Sequence, residues 1–300
     1  MKIYNTSTAV DSVPVYMLVY GTGGIGKSTF ASTAPGPFMA DCEGGAKFFG
    51  RRGISMPVAV IETWGDFADP GKFVDMAIKD QRVETIIVDP IGELMEKCKN
   101  GLEGSGFVTS DGSPTLRGWG EMSKRMKFQF RKLRDSGKNV ILIAHVEEKE
   151  DEGRLVKRPK IQTKISEDII NMVDVVGMMI ASVNDKGTIE RVITFDPTND
   201  KISAKDRTGS LPTFIEPQFS LVLAAINAPL NTETIEPSST PEKPHSDDSG
   251  KAETPSLALD DVANSNDTAS KLGMDEITPR DKKLQAAKDK IEYHRSTRTQ

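Results

Sequence analysis

The octapeptide Gly21-Thr22-Gly23-Gly24-Ile25-Gly26-Lys27-Ser28 constrains this chain more than any other stretch. It follows an apolar run over 13–20, biased toward a buried strand, and opens a helical pattern over 26–33. Glycines at these spacings let successive backbone N–H groups turn into one concavity, and the helix behind them adds its positive end. Such a cradle suits a polyphosphate. Lys27 is spaced to reach the β and γ phosphates and Ser28 to set its hydroxyl on magnesium, with Gly21, Thr22, Gly23, Gly24, Ile25, Gly26 and Thr29 completing the cradle. An ordinary glycine-rich turn between strand and helix has no need of the Lys-Ser pair. The reading is a Walker A loop that binds a nucleoside triphosphate with magnesium.

A loop of this kind works from the carboxyl edge of a parallel sheet, and the flanking pattern supplies one. Strands are predicted over 13–20, 38–41, 58–61, 83–89 and 139–144, with helices over 26–33, 64–79, 91–99 and 119–136. After His145 the order changes to two strands, 173–181 and 189–195, joined by Asn184-Asp185-Lys186-Gly187 as a hairpin. The expected fold class is therefore α/β, a mostly parallel sheet flanked by helices with an antiparallel far edge.

The hydrophobic fraction, 37% over 300 residues, is low for a fully globular chain of this length. The deficit lies beyond Ala228. Segment 231–278 holds eleven acidic and three basic residues and no aromatic, which buries too little apolar surface to offset the entropy of ordering. We expect a core over 1–228, an acidic disordered linker over 229–278, and a basic segment over 279–300 that can start a helix at Pro279. The net charge of −5 provides no global positive field, so any nucleic-acid contact has to come from a local patch. Cys42 and Cys98 lack metal-ligand spacing, residues 1–10 are too polar for a signal peptide, and no apolar run approaches the roughly 18 residues of a membrane span. A cytoplasmic setting with no membrane partner is the expectation.

Two carboxylates complete the chemistry suggested by the loop. Thr85-Ile86-Ile87-Val88-Asp89 is an apolar strand ending in an acid, as required to bring Asp89 beside a magnesium ion on Ser28. A strand ending in Asp before Pro is also a common way to leave a sheet, so the assignment depends on its coupling to the loop. Hydrolysis further needs a group that orients or deprotonates water. Glu43, just past the second strand, is the candidate, and a solvent-facing turn acid before two glycines would fit the spacing equally.

With these parts in place, residues 13–219 resemble the RecA-like ATPases, and within them the compact phage single-strand annealing proteins and core-only recombinases. Ala34-Pro35-Gly36-Pro37-Phe38 leading into Asp41-Cys42-Glu43-Gly44-Gly45 is similar to the segment where that family keeps its catalytic glutamate. Val140-Ile141-Leu142-Ile143-Ala144-His145 is similar to the strand whose last, polar residue senses the γ-phosphate. His145 stands where recombinases often carry Gln, and a strand-end histidine satisfied by a backbone carbonyl is the plainer alternative. Ala204-Lys205-Asp206-Arg207 is similar to the element that inserts cations into a neighbour's ATP site; otherwise Lys205 and Arg207 are a solvated strand-turn pair. The resemblance implies ATP and magnesium as ligands, single-stranded DNA as substrate, and self-assembly into a ring or filament. It also implies a phage protein acting in the host cytoplasm. The acidic linker and basic C-terminal segment read either as an element that engages a host single-strand-binding protein or as a shield that competes with phosphates at the DNA site. ATP is the default base because no Asn-Lys-x-Asp motif is present.

The nucleic-acid contact has two sequence candidates. One is a loop from Lys149 to Lys164, with Arg154, Lys157, Arg158 and Lys160 between, directly after His145. The other is the cationic face (Lys124, Lys127, Arg131, Arg134) of a helix whose core stripe is Met122, Met126, Phe130 and Leu133. The glycine-rich stretch 101–118, with Phe107 and Arg117, reads either as a flexible second DNA loop or as a plain mobile connection. Helicase loading, DNA packaging and a non-hydrolysing nucleotide-gated interaction module stay open as other tasks for the same loop.

Overall fold

Tyr16–Gly21 is buried at all six positions, and a strand covered on both faces belongs inside a sheet. The computed structural model describes residues 13–151, 153–183, 188–196 and 201–228. In chain order the elements are β1 (Tyr16–Gly21), α1 (Lys27–Ser32), β2 (Pro37–Asp41), β3 (Val58–Val60), α2 (Trp64–Ala68), α3 (Phe73–Lys79), β4 (Thr85–Asp89), α4 (Ile91–Asn100) and α5 (Leu116–Arg134). They continue with β5 (Asn139–Asp151), β6 (Arg154–Pro159), α6 (Thr163–Met172), β7 (Val175–Val183), β8 (Ile189–Thr194), β9 (Lys205–Asp206), β10 (Phe214–Ile215) and α7 (Phe219–Ile226). The expected linker, basic tail and turn at 184–187 lie outside the described residues.

The sheet runs β10-β8-β7-β1-β5-β4-β2-β3, with β6 added to β5 and β9 to β7. From β3 to β7 all pairings along this path are parallel; β8 and β10 pair antiparallel, as the hairpin pattern required. Alternate residues of β1 serve two cores. Tyr16, Leu18 and Tyr20 pack with Met122, Met126, Phe130 and Leu133 of α5 and with Ile165 and Ile169 of α6. Met17 and Val19 pack on the other face with Phe30 of α1 and Phe219 and Val222 of α7, where Phe30 and Phe219 meet edge to face at 6.0 Å. The expected α5 stripe is wholly buried.

Three segments depart from the sequence reading. The single helix expected over 64–79 is two, because Pro70 cannot continue an α-helix and Gly71 takes φ 78. The connection 101–118 is tied down, since the Phe107 carbonyl accepts from Thr115 N (2.8 Å) and Thr115 Oγ1 (3.1 Å) as Thr115 caps α5. Gly118 is obligatory at that contact: a Cβ would fall 2.1 Å from Phe107 O. The third departure concerns the expected basic loop 149–164. Strand β5 runs seven residues past Ala144 and folds back as β6, so Lys149, Arg154, Lys157 and Arg158 lie on a β-hairpin.

Candidate active site

Register brings the functional ends together. In the parallel pairing of β1 with β5, Gly21 stands opposite His145; in that of β2 with β4, Asp41 stands opposite Asp89. The carboxyl ends of four strands therefore deliver the phosphate loop, the two acids and His145 to one edge, where open parallel sheets bind ligands. The loop itself depends on two glycines. Gly26 takes φ 114, a left-handed value that strains any residue with a Cβ, and a Cβ at Gly21 would stand 2.7 Å from the Met179 carbonyl of β7.

Lys27 is buried and donates to the carbonyls of Gly21 (2.9 Å) and Thr22 (2.8 Å), so its ammonium lies against the loop it serves. Burial pulls its pKa below the ordinary lysine value, while Asp89 and Glu43 act in the opposite direction. Ser28 Oγ donates to Asp89 Oδ2 at 2.5 Å. Burial pushes Asp89 up to about 6 against the Ser28 hydrogen bond, and the negative charge of Glu43 adds to the rise. A hydroxyl and a carboxylate in contact beside a buried ammonium are hard oxygen donors suited to magnesium, so the residues fit the ion implied by the motif. When bound, the ion supplies charge neutralisation at the β and γ phosphates.

Asp41 builds the other wall. Its Oδ1 accepts from the backbone N–H of Glu43 (3.3 Å), Gly44 (2.8 Å) and Gly45 (3.2 Å), and its Oδ2 from Ala46 (2.9 Å). Four donors on one carboxylate lock the turn, and Gly44 closes it with φ 78. Cys42 N–H donates to the Asp89 carbonyl at 2.8 Å, joining this turn to the end of β4. The Glu43 side chain is thereby held at the site, 3.5 Å from His145 Nε2 through its Oε2, with both side chains partly exposed. Lys27, Ser28, Asp89, Glu43 and His145 thus form one constellation. Sequence reasoning had quoted Asp41 only as part of a motif; its signal was an acid two residues before a Glu-Gly-Gly turn, the pattern of a side chain that caps backbone N–H groups.

The remaining candidates lie elsewhere. Lys205 opens β9 and Arg207 follows it; β9 pairs with Val175 and Val176 at the amino end of β7, away from the strand ends that carry the loop. Lys205 Nζ donates to the carbonyls of Ile170 (2.7 Å), Asn171 (3.2 Å) and Val173 (2.7 Å). An ammonium has three donors, so this cation is fully engaged in capping α6 of its own chain. Arg207 contacts Asp174 (3.3 Å) and the Asn171 carbonyl (3.0 Å) and stays half exposed. On the hairpin, Arg158 pairs with Glu147 (2.8 Å) and Lys157 faces Glu148 (3.7 Å). Arg154 stands opposite Asp151 in register, and Lys149 and Lys160 are exposed. The cations counted in the sequence are therefore interleaved with acids of β5. Lys164 falls in the first turn of α6, and its side chain lies outside the described residues.

Tyr20 is a contact that sequence reasoning missed. Its hydroxyl donates to the Lys157 carbonyl (3.1 Å) and accepts from Ser203 N–H (3.0 Å), pinning the hairpin to the central strand. Burial raises its pKa far above the ordinary phenol value, so it is neutral and can donate.

Residues 14–208 match the family model described as AAA domain, a span that contains every member of the constellation. The chain belongs to the AAA domain family. The AAA domain begins just before β1 and ends just after Arg207, so its limits enclose the sheet from β1 to β9. No curated protein matches the sequence. Among solved structures, flagellar accessory protein FlaH from Methanocaldococcus jannaschii is similar with a TM-score of 0.38 and 12% identity, covering 68% of this chain and 85% of its own. A KaiC-like protein from Pyrococcus horikoshii has a TM-score of 0.36 and 14% identity, covering 62% and 87%. The AAA domain is a P-loop ATPase fold. No helix among the described residues is long and apolar enough to cross a membrane.

Proposed function

We propose that this protein is a magnesium-dependent ATPase that binds single-stranded DNA, anneals or recombines strands, and assembles with copies of itself. The observation that carries the reading is the contact of Glu43 with His145 beside Lys27, Ser28 and Asp89. Glu43 is positioned to direct water toward a γ-phosphate, and His145 lies on the strand that continues into the β5–β6 hairpin. The His145 carbonyl accepts from Lys160 N–H at 2.7 Å, so a shift at His145 is transmitted to both hairpin strands. Lys149 on the hairpin and Lys160 just past it are exposed cations that can meet strand phosphates. Arg207, half exposed, is the cation left to face a neighbour, since Lys205 has no spare donor. The acidic tail recruits protein partners such as a host single-strand-binding protein.

The interleaved charges of the hairpin favour a second reading, a nucleotide-gated surface for a protein partner in another DNA task such as helicase loading. ATP turnover with and without single-stranded DNA, across protein concentration, separates the two. DNA-stimulated turnover that rises with concentration, together with annealing of complementary oligonucleotides, supports the first. Turnover indifferent to DNA and no annealing removes it. Glu43→Gln is expected to lower kcat by about 10²- to 10⁴-fold while leaving ATP affinity near wild type. Turnover at the wild-type level would remove hydrolysis at Glu43 from the reading.

A further inference from the structure

The phosphate loop has two flanks. On one, β5, β4 and β2 bring His145, Asp89 and Glu43, the groups that deal with metal and water. On the other lie β7 and β8, to which the sequence reading assigned no function. The two flanks meet at Gly26. A Cβ built there would stand 3.6 Å from Arg191 Cδ, 3.9 Å from Arg191 Nε and 3.9 Å from Met179 Sδ, so the Arg191 side chain extends from β8 to the last glycine of the loop. Arg191 pairs with Ala181 in the β7–β8 ladder and its side chain is exposed. Among the described residues its side chain makes no hydrogen bond or ion pair.

An exposed guanidinium that reaches the last glycine of a phosphate-binding loop is placed to meet an anion held there. The Lys27, Ser28 and Asp89 groups fix which end of a triphosphate goes where. A triphosphate held by these groups would set its β and γ phosphates toward β5, β4 and β2 and leave its nucleoside end on the β7–β8 flank. We propose that Arg191 is a nucleotide-binding residue for that end, its planar guanidinium pairing with the α-phosphate and covering the base. Arginine suits both tasks, because it forms forked hydrogen bonds to phosphate and stacks on flat π systems. The assignment rests on the nucleotide-binding reading of the loop and adds to it the residue that recognises what ATP and ADP have in common.

The test is equilibrium binding of fluorescent ATP and ADP analogues, with magnesium, to the full chain as wild type, Arg191→Ala, Arg191→Lys and Lys27→Ala. Arg191→Ala is expected to weaken both nucleotides by the same factor, about 10- to 100-fold, from the loss of a charged hydrogen-bonding group. Arg191→Lys should recover part of that loss, because it keeps the charge but not the fork. Melting without nucleotide should match wild type for both Arg191 variants, as the side chain is exposed and has no hydrogen-bonding partner among the described residues. Unchanged affinities, or a loss confined to ATP, overturn the role. Wild type and Lys27→Ala binding equally poorly would instead overturn the nucleotide reading and this role with it.

Discussion

Replacing Lys205 with Met separates two meanings of one lysine. In the structure its ammonium caps the carboxyl end of α6 through the carbonyls of Ile170, Asn171 and Val173. Methionine keeps the aliphatic stem and removes the donors. A net hydrogen bond contributes about 1 kcal/mol, so three of them set a ceiling of about 3 kcal/mol, with a cation at a helix carboxyl end adding about 0.5 kcal/mol. Burial and the neighbouring Arg207 both disfavour the charged ammonium and pull its pKa below the lysine value, so part of that gain is already spent on desolvation. Partial exposure lets water reach the freed carbonyls and lowers the cost further. The expected loss is about 2 kcal/mol, or a fall in Tm of about 4–8 °C for a core of this size. The assay is urea unfolding followed by circular dichroism, paired with ATP turnover per folded molecule. A cap predicts lower stability with turnover unchanged across protein concentration. Unchanged stability with a large loss of turnover in assembled protein would refute the cap and restore the cation to a neighbour's ATP site.

Two other substitutions probe how the site is held. Gly21→Ala forces a Cβ to within 2.7 Å of the Met179 carbonyl, so β1 and β7 have to separate at the loop. The expected cost is about 1–3 kcal/mol in denaturant unfolding with a parallel loss of nucleotide affinity, and wild-type values for both would contradict the close approach. Tyr20→Phe removes the hydroxyl that joins Lys157 and Ser203 to the central strand and is expected to cost about 1–2 kcal/mol. Amide exchange should quicken in 154–159 while β1 stays protected; unaltered exchange there would show that the hairpin is anchored by other contacts.

Much of the site was legible because its chemistry is local. Gly21 to Ser28 contains its own turn, donors and helix start within eight residues, and Asp89 ends an apolar strand whose period is visible without partners. The α5 stripe of Met122, Met126, Phe130 and Leu133 was legible for the same reason, since helical spacing alone assigns it to the core. The hairpin was not. Val146 to Asp151 carries four acids and one lysine, a composition that reads as loop, and it is a strand only because β6 returns to pair with it. Counting the cations of that segment without their cross-strand acids gave it a more basic character than the folded hairpin has. The contacts of Lys205 were hidden in a similar way, because a Lys-x-Arg spacing carries no information about which carbonyls lie within reach.

The sequence by itself determined that a triphosphate loop sits between a buried strand and a helix, that acids follow two other strands, and that the far edge of the sheet turns antiparallel. Tertiary structure decided which of these ends meet. Glu43 and His145 lie 102 residues apart, and only the pairing of β2 with β4 and of β4 with β5 brings them together. The physical reason is that turns and periodicity are set within a few residues of chain, whereas strand order and register are settled by how all the apolar faces are buried at once. The same global choice laid Arg191 across Gly26, a neighbour it never meets in the linear chain.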